Sequence, residues 1–500
     1  MRPLILSLLL VLVACSGPVD DDDSAPLPAN DDDDDTTVAD DDDTTVADDD
    51  DSAPADDDDA TTPLPPGLPT WTDAPCDSMA GNTSGSFQGI VDTWADQVDA
   101  VPFEGGRTVF AGSSSIRLWE RLLEDFSAWS PLQRGFGGSR LWDVAEHSAQ
   151  LVTRHDPSAV VLFAGTNDIA AGLSPDTVML GYRCLVERIS DDLGDVPIAF
   201  IAITPTPSRW ASWDDANAVN NAVAELADAW RDLHFLDTRD AFLATGAPPD
   251  ASLFQGDGLH LSPAGYALWA ALIGPQLAAL AEPITPPLGS FATGSRLLID
   301  LGPSNPEDGT PTASPDGFGQ HWNNWHPMDG ESSMFPGEQL GDLVDDAGTA
   351  TGLRLVLSSS MTSNGILNGG LLNPSDATLG DLAVGTATQD YVWRNADTPG
   401  SLAIEGLDPT GSYTVRLFAS RNASESRVTR YSVSGASGRS TVDLAVSGSG
   451  IGDGAQPDGN VDGVAELAAQ TPDAYGRLHI DYAGIAGSYT YLGILELVRE

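Results

Sequence analysis

The chain has 500 residues, with 75 acidic against 22 basic side chains and a formal net charge of −53. Every basic residue is arginine, so a Walker P-loop lysine and a lysine Schiff base are both excluded. The acidic surface argues against nucleic acid or a polyanion as partner.

Residues 3–14, PLILSLLLVLVA, form a short apolar run behind Arg2 and end at Cys15. The run is too short to remain as a membrane span and reads as a secretory signal. Its end, LVAC at 12–15, resembles a bacterial lipobox, which implies that Cys15 carries lipid and begins the mature chain. Ser16 stands where lipoproteins retained at the inner membrane tend to have aspartate, so the same resemblance implies the outer membrane of a bacterial cell envelope. Residues 16–70 follow as a tether. Asp runs at 20–23, 31–35, 40–43, 48–51 and 56–59 repel one another, and spacers such as TTVA and SAPA offer little apolar area to bury. Clustered carboxylates attract calcium, but the segment lacks the glycine turn and mixed ligands of a dedicated site.

Residues 71–285 alternate strand and helix patterns. The runs TVF, AVVLFA, IAFIAI and LHFLD are separated by helix patterns near 88–100, 141–154, 176–192, 215–232 and 263–281. This predicts an α/β fold, a three-layer α/β/α sandwich with a parallel sheet. Cys76 and Cys184 remain once Cys15 is assigned to lipid. In an exported protein they can form a disulfide or stay reduced. The segment TPTPSRW at 204–210 follows a strand, where Arg209 and Trp210 can line a pocket or simply belong to a Pro-rich loop.

Four predicted strand ends carry chemistry. VFAGSSSIRLW at 109–119 runs from strand through a small-residue turn into a helix with Ser114 at the corner, where free helix N–H groups favour a developing oxyanion. RGFGG at 134–138 supplies Gly138, VVLFAGTND at 160–168 supplies Asn167, and DGLH at 257–260 supplies Asp257 and His260. In a parallel sheet the carboxyl ends of the strands share one edge, so these loops can converge. A serine hydroxyl needs a histidine to take its proton, the histidine needs an orienting acceptor, and the oxyanion needs donors. His147, His155 and His234 lie in or beside helix and strand patterns without partner motifs and read as structural.

The order Ser, Gly, Asn, His resembles that of the SGNH, or GDSL-type, hydrolases over roughly residues 85–283. Here GSSS at 112–115 stands where the family usually has Gly-Asp-Ser; the departure, Ser113, is outside the catalytic group. The resemblance implies Ser114 as nucleophile, His260 as base, Asp257 as its partner, and the Ser114 N–H, Gly138 N–H and Asn167 amide as oxyanion hole. No cofactor and no metal is implied.

After the Pro-rich stretch EPITPPLGS at 282–290, short alternating strands punctuated by Gly, Asn, Asp and Ser predict an all-β, jelly-roll-like sandwich over 286–500. Its organisation is similar to carbohydrate-binding modules of exported hydrolases, and it is expected to be a separable module. GQHWNNWHP at 319–327 offers Trp322 and Trp325 as a glycan-stacking platform or, alternatively, as an aromatic plug. DGNVDGVAE at 458–466 begins like a calcium loop through Asp458, Asn460, Asp462 and Gly463. Ala469 stands at the closing glutamate position, which favours an ordinary turn.

The sequence therefore predicts a membrane-anchored serine esterase acting on acetyl or other short-chain esters, with an acetylated glycan as candidate substrate. Lysophospholipase or platelet-activating-factor-acetylhydrolase-like specificity stays open, as does a non-catalytic glycan-binding lipoprotein.

Overall fold

Four strands of mainly apolar residues must be covered on both faces, as parallel strands are, and a fifth, LQRG at 132–135, buries Gln133 and Arg134 beside them. In the computed structural model they are β1 (Thr108–Gly112), β2 (Leu132–Gly135), β3 (Ala159–Phe163), β4 (Ile198–Ile201) and β5 (Leu233–Leu236). All pairings are parallel, in the order β2-β1-β3-β4-β5. The structure describes residues 67–85, 87–327 and 331–500. Cys15 and the tether up to residue 66 lie outside the described residues.

The covering helices start where local chemistry permits. Pro175–Leu193 and Pro263–Leu277 each begin with proline behind a capping serine: Ser174 accepts from the Thr177 N–H, and Ser262 from the Gly265 N–H. The helix expected over 141–154 is instead broken into Leu141–Glu146, Ser148–Leu151 and a turn at Thr153–His155. The Ser148 hydroxyl donates back to the Ala145 carbonyl at 3.1 Å, a bond that competes with regular helix pairing. Cys76 and Cys184 are joined by a disulfide that ties the turn Pro75–Ser78 to the helix Pro175–Leu193.

The C-terminal region is all-β, with sheets of six, four and five strands. Pairing is antiparallel except between Arg296–Leu301 and Asn323–Trp325. It has its own apolar core, around Leu297, Leu355, Tyr413, Ile480 and Leu495. Trp322 and Trp325 are each 3 % exposed, which corrects the platform reading. Trp325 packs in that core, and Trp322 packs with Leu298 and Phe418 while its indole N–H donates to Asp316 at 2.8 Å. Neither ring face is open to stack on a sugar. In the loop at 458–463, Asn460 turns its side chain onto the Gly463 N–H and C=O, which makes it an ordinary Asx-type turn.

The two cores meet across a buried polar joint. Glu405 of the β region accepts from Arg107, just ahead of β1, at 3.0 Å and from Arg477 at 2.9 Å, with all three side chains 3 % exposed or less. Burial pushes the Glu405 carboxyl up, but the two guanidinium groups outweigh it and hold the group well below the carboxylate range. Around this trio, Arg477 donates to the Ser127 carbonyl and Arg134 to the Gly337 carbonyl, and Gln339 bonds Gln97 and the Val101 carbonyl. Val356 and Ala403 join the α/β core itself. The expected separable module is thus joined through groups that could not be left dry and unpaired.

Glu405→Ala should cost about 3–5 kcal/mol of unfolding free energy, because it strands two buried guanidinium groups. Urea denaturation measures this, and a loss below about 1 kcal/mol would contradict it. A second prediction concerns Asp300 and Asp390, buried within hydrogen-bonding reach of one another. Burial lifts Asp300 to about 6 and Asp390 well above its ordinary value. Carboxyl pKa values raised on folding stabilise below about pH 4, where both states are protonated, and that contribution is lost as pH climbs through the folded-state values. Asp390→Asn should therefore raise Tm at pH 8 by more than at pH 4.5; an equal shift at both would contradict the assignment.

Candidate active site

Strand β1 pairs with β2 on one side and β3 on the other, so the chain reverses its winding between β1 and β3. A crevice opens at the carboxyl ends beside such a switch point. Three candidate loops leave from there: Ser114 after β1, Gly138 after β2 and Asn167 after β3.

The corner at Ser114 depends on Gly112. Its φ is +144°, and a Cβ there would lie 2.0 Å from the Phe163 carbonyl oxygen. Ser113 N–H donates to that same oxygen at 2.9 Å, extending the β1–β3 ladder to the residue before the nucleophile candidate. Ser114 then opens the short helix Ser114–Arg117. From the helix that follows His260, the buried Tyr266 hydroxyl donates to the Ser115 carbonyl at 2.8 Å and pins the corner from the far side.

His260 and Asp257 arrive on one loop. His260 Nε2 lies 2.9 Å from Ser114 Oγ, and His260 Nδ1 lies 2.6 Å from Asp257 Oδ2. Asp257 Oδ1 also accepts the N–H groups of Leu259 and His260, at 2.9 and 3.0 Å. Burial raises its pKa, but these bonds outweigh that and hold it below the ordinary carboxylate value, so it stays an acceptor facing Nδ1. The arrangement can take a proton from the serine hydroxyl and stabilise the imidazolium that forms.

Asn167 lies in the first turn of the helix Thr166–Ala170, and its amide donates to the Ser139 carbonyl at 2.9 Å, beside Gly138. Gly138 is exposed with φ +83°, a left-handed turn that leaves its N–H without an acceptor among the described residues. The Ser114 N–H, at a helix start, has none there either. Sequence reasoning passed over Asp168. This buried residue accepts the Leu141 N–H at 3.1 Å, and burial pushes it up to about 7. It fixes the helix behind the Gly138 turn, and its only signal was adjacency to Asn167.

Residues 94–268 match the family described as GDSL-like Lipase/Acylhydrolase. This stretch is a GDSL-like lipase/acylhydrolase domain. It contains Ser114, Gly138, Asn167, Asp257 and His260 and makes the protein a hydrolase of ester bonds. The chain is also similar to solved structures. A GDSL-like lipase from Bacteroides thetaiotaomicron is 20 % identical, with 38 % of this chain and 97 % of that one covered and a TM-score of 0.34. For a lipase/acylhydrolase from Enterococcus faecalis the values are 19 %, 36 %, 98 % and 0.31. For a carbohydrate esterase family 3 protein from Talaromyces cellulolyticus they are 21 %, 35 %, 97 % and 0.31. No curated protein matches the chain.

If Asn167 donates to the oxyanion, Asn167→Ala should lower kcat on a soluble ester by about 10²-fold with the far-UV spectrum unchanged. An unaltered kcat would remove it from the acylhydrolase domain's site.

Proposed function

We propose that the protein is an exported, lipid-anchored serine esterase that removes acetyl or similarly short acyl groups, with an acetylated glycan as substrate class. The observation that carries the catalytic part is the continuous relay from Asp257 Oδ2 through His260 to Ser114 Oγ, at 2.6 and 2.9 Å. Ser114 Oγ attacks the ester carbonyl as its proton passes to His260 Nε2. The tetrahedral oxyanion is held by the Ser114 and Gly138 N–H groups and the Asn167 amide. On collapse the C–O bond breaks, His260 protonates the departing alcohol, and the acyl group stays on Ser114. Water, deprotonated by His260, then releases the acid and restores the hydroxyl.

One feature supports the substrate class. The His260 and Asp257 side chains are 23 % and 46 % exposed, so the reacting centre opens to water, which suits a hydrophilic leaving group such as a sugar better than a lipid. Export is supported by the LVAC motif at Cys15 and by the Cys76–Cys184 disulfide, a bond of oxidising compartments.

A fluorophosphonate probe should label wild-type protein but not Ser114→Ala, and His260→Ala should lose about 10³-fold or more in turnover. Labelling that survives in Ser114→Ala would overturn the nucleophile. An ester panel should fall steeply from acetyl to octanoyl; a preference for long chains would return the lysophospholipase reading. For the anchor, intact-mass analysis should find acyl chains on a mature N-terminus at Cys15, and Cys15→Ser should abolish them. A mature, unacylated N-terminus elsewhere would contradict the anchor.

A further inference from the structure

An amide side chain serves an oxyanion only if its NH2 end, not its oxygen, faces the reacting carbonyl. The two ends have nearly the same shape, so something chemical must select between them. For Asn167 the nitrogen end gives one hydrogen to the Ser139 carbonyl at 2.9 Å, which leaves one N–H over. The oxygen end accepts from Arg209 Nη1 at 3.0 Å. A flipped amide would press oxygen against the Ser139 carbonyl and NH2 against a guanidinium, losing both bonds.

We propose that Arg209 is a positioning residue for the reaction, holding Asn167 in the one amide orientation that keeps an N–H free for the oxyanion. The inference rests on the role given to Asn167 above. Arg209 is half-buried, and among the described residues it pairs with no carboxylate, unlike most arginines of this chain. Both hydrogens of its Nη1 are committed to neutral oxygens, Asn167 Oδ1 and Thr166 Oγ1, the latter at 2.8 Å. That nitrogen has nothing left for a substrate. The residue before it completes the device: Ser208 N–H donates at 3.0 Å to the carbonyl of Gly258, which lies between Asp257 and His260. Adjacent residues of the segment Pro207–Ser212 thus grip the loop of the acid–base pair and the amide across the cleft.

The test is a double-mutant cycle on the full chain with 4-nitrophenyl acetate. Arg209→Ala should lower kcat by about tenfold to hundredfold while KM stays within about threefold, since only a transition-state contact is lost. Arg209→Met, which keeps the stem packed and removes only the donors, should behave alike. Arg209→Lys, which can still donate to Oδ1, should recover part of the loss. The decisive outcome is coupling: Arg209→Met combined with Asn167→Ala should be within about threefold of Asn167→Ala alone. Multiplicative losses would show that Arg209 acts elsewhere and overturn the proposal, as would a wild-type kcat for Arg209→Met. A wild-type kcat for Asn167→Ala would instead overturn the role of Asn167 itself, and the proposal with it.

Discussion

Everything at the catalytic edge hangs on one main-chain contact, the Ser113 N–H donating to the Phe163 carbonyl past the end of β1. It is the closing bond of the last β1–β3 pair, Gly112 with Phe163, where a Cβ on Gly112 would strike the accepting oxygen. The result is that Ser114 and Asn167 leave adjacent strands from nearly the same level, one on each side of the switch point. The proposed nucleophile is therefore located by backbone hydrogen bonding before any side chain is considered. Tyr266 then links this corner to the helix that follows His260, so the two halves of the relay share a support.

A second constraint runs through the joint with the β region. Arginine does not lose its proton in proteins, so in a chain without lysine only histidine, such as the buried His155, can neutralise itself on burial. Each buried guanidinium must be given oxygens. Arg107 and Arg477 receive a shared carboxylate, and the bonds of Arg107 to Glu405, Arg477 to the Ser127 carbonyl and Arg134 to the Gly337 carbonyl cross between the two cores. The α/β region thus shares these arginines with the β region: Arg107 is held by its own Glu104 as well as by Glu405, and Arg134 by the Gln133 carbonyl as well as by that of Gly337. This makes the β region part of the folding unit, whatever else it binds.

The sequence was informative where function is local. Ser114, Gly138 and Asn167 could be singled out because each follows the end of a strand, whereas the Asp257–His260 pair sits on a loop after Ala251–Leu253, well past β5 and not at the strand end expected for it, and only its short spacing marked it. It was uninformative where the answer depends on which way a side chain faces. Trp322 and Trp325 with neighbouring asparagines look alike as a sugar platform or as packing, since amides satisfy buried backbone as well as they satisfy hydroxyls; Asn323 does so with the Leu298 and Val344 carbonyls. It was silent where partners are remote. Arg107 and Glu405 stand 298 positions apart, and no spacing rule connects them. Arg209 fell between these cases, visible as a loop residue near the pocket but not as the partner of one particular oxygen.

The disulfide between Cys76 and Cys184 has a mechanical meaning. It lies near the N-terminal end of the described chain and fastens the turn Pro75–Ser78 to the longest helix of the α/β region. Close by, Asp73 and Arg183 form an ion pair across the same two segments. A pull on the chain from its N-terminal side would strip the Gly67 carbonyl from the Asp232 N–H and Leu68 from the core, then break that ion pair, and would then meet a covalent bond. Load would pass into Pro175–Leu193 and the sheet beneath it without peeling away the helix Gln88–Ala100. Under the proposed anchor, such a fastening separates the strength of the attachment from the much smaller forces that keep the fold together.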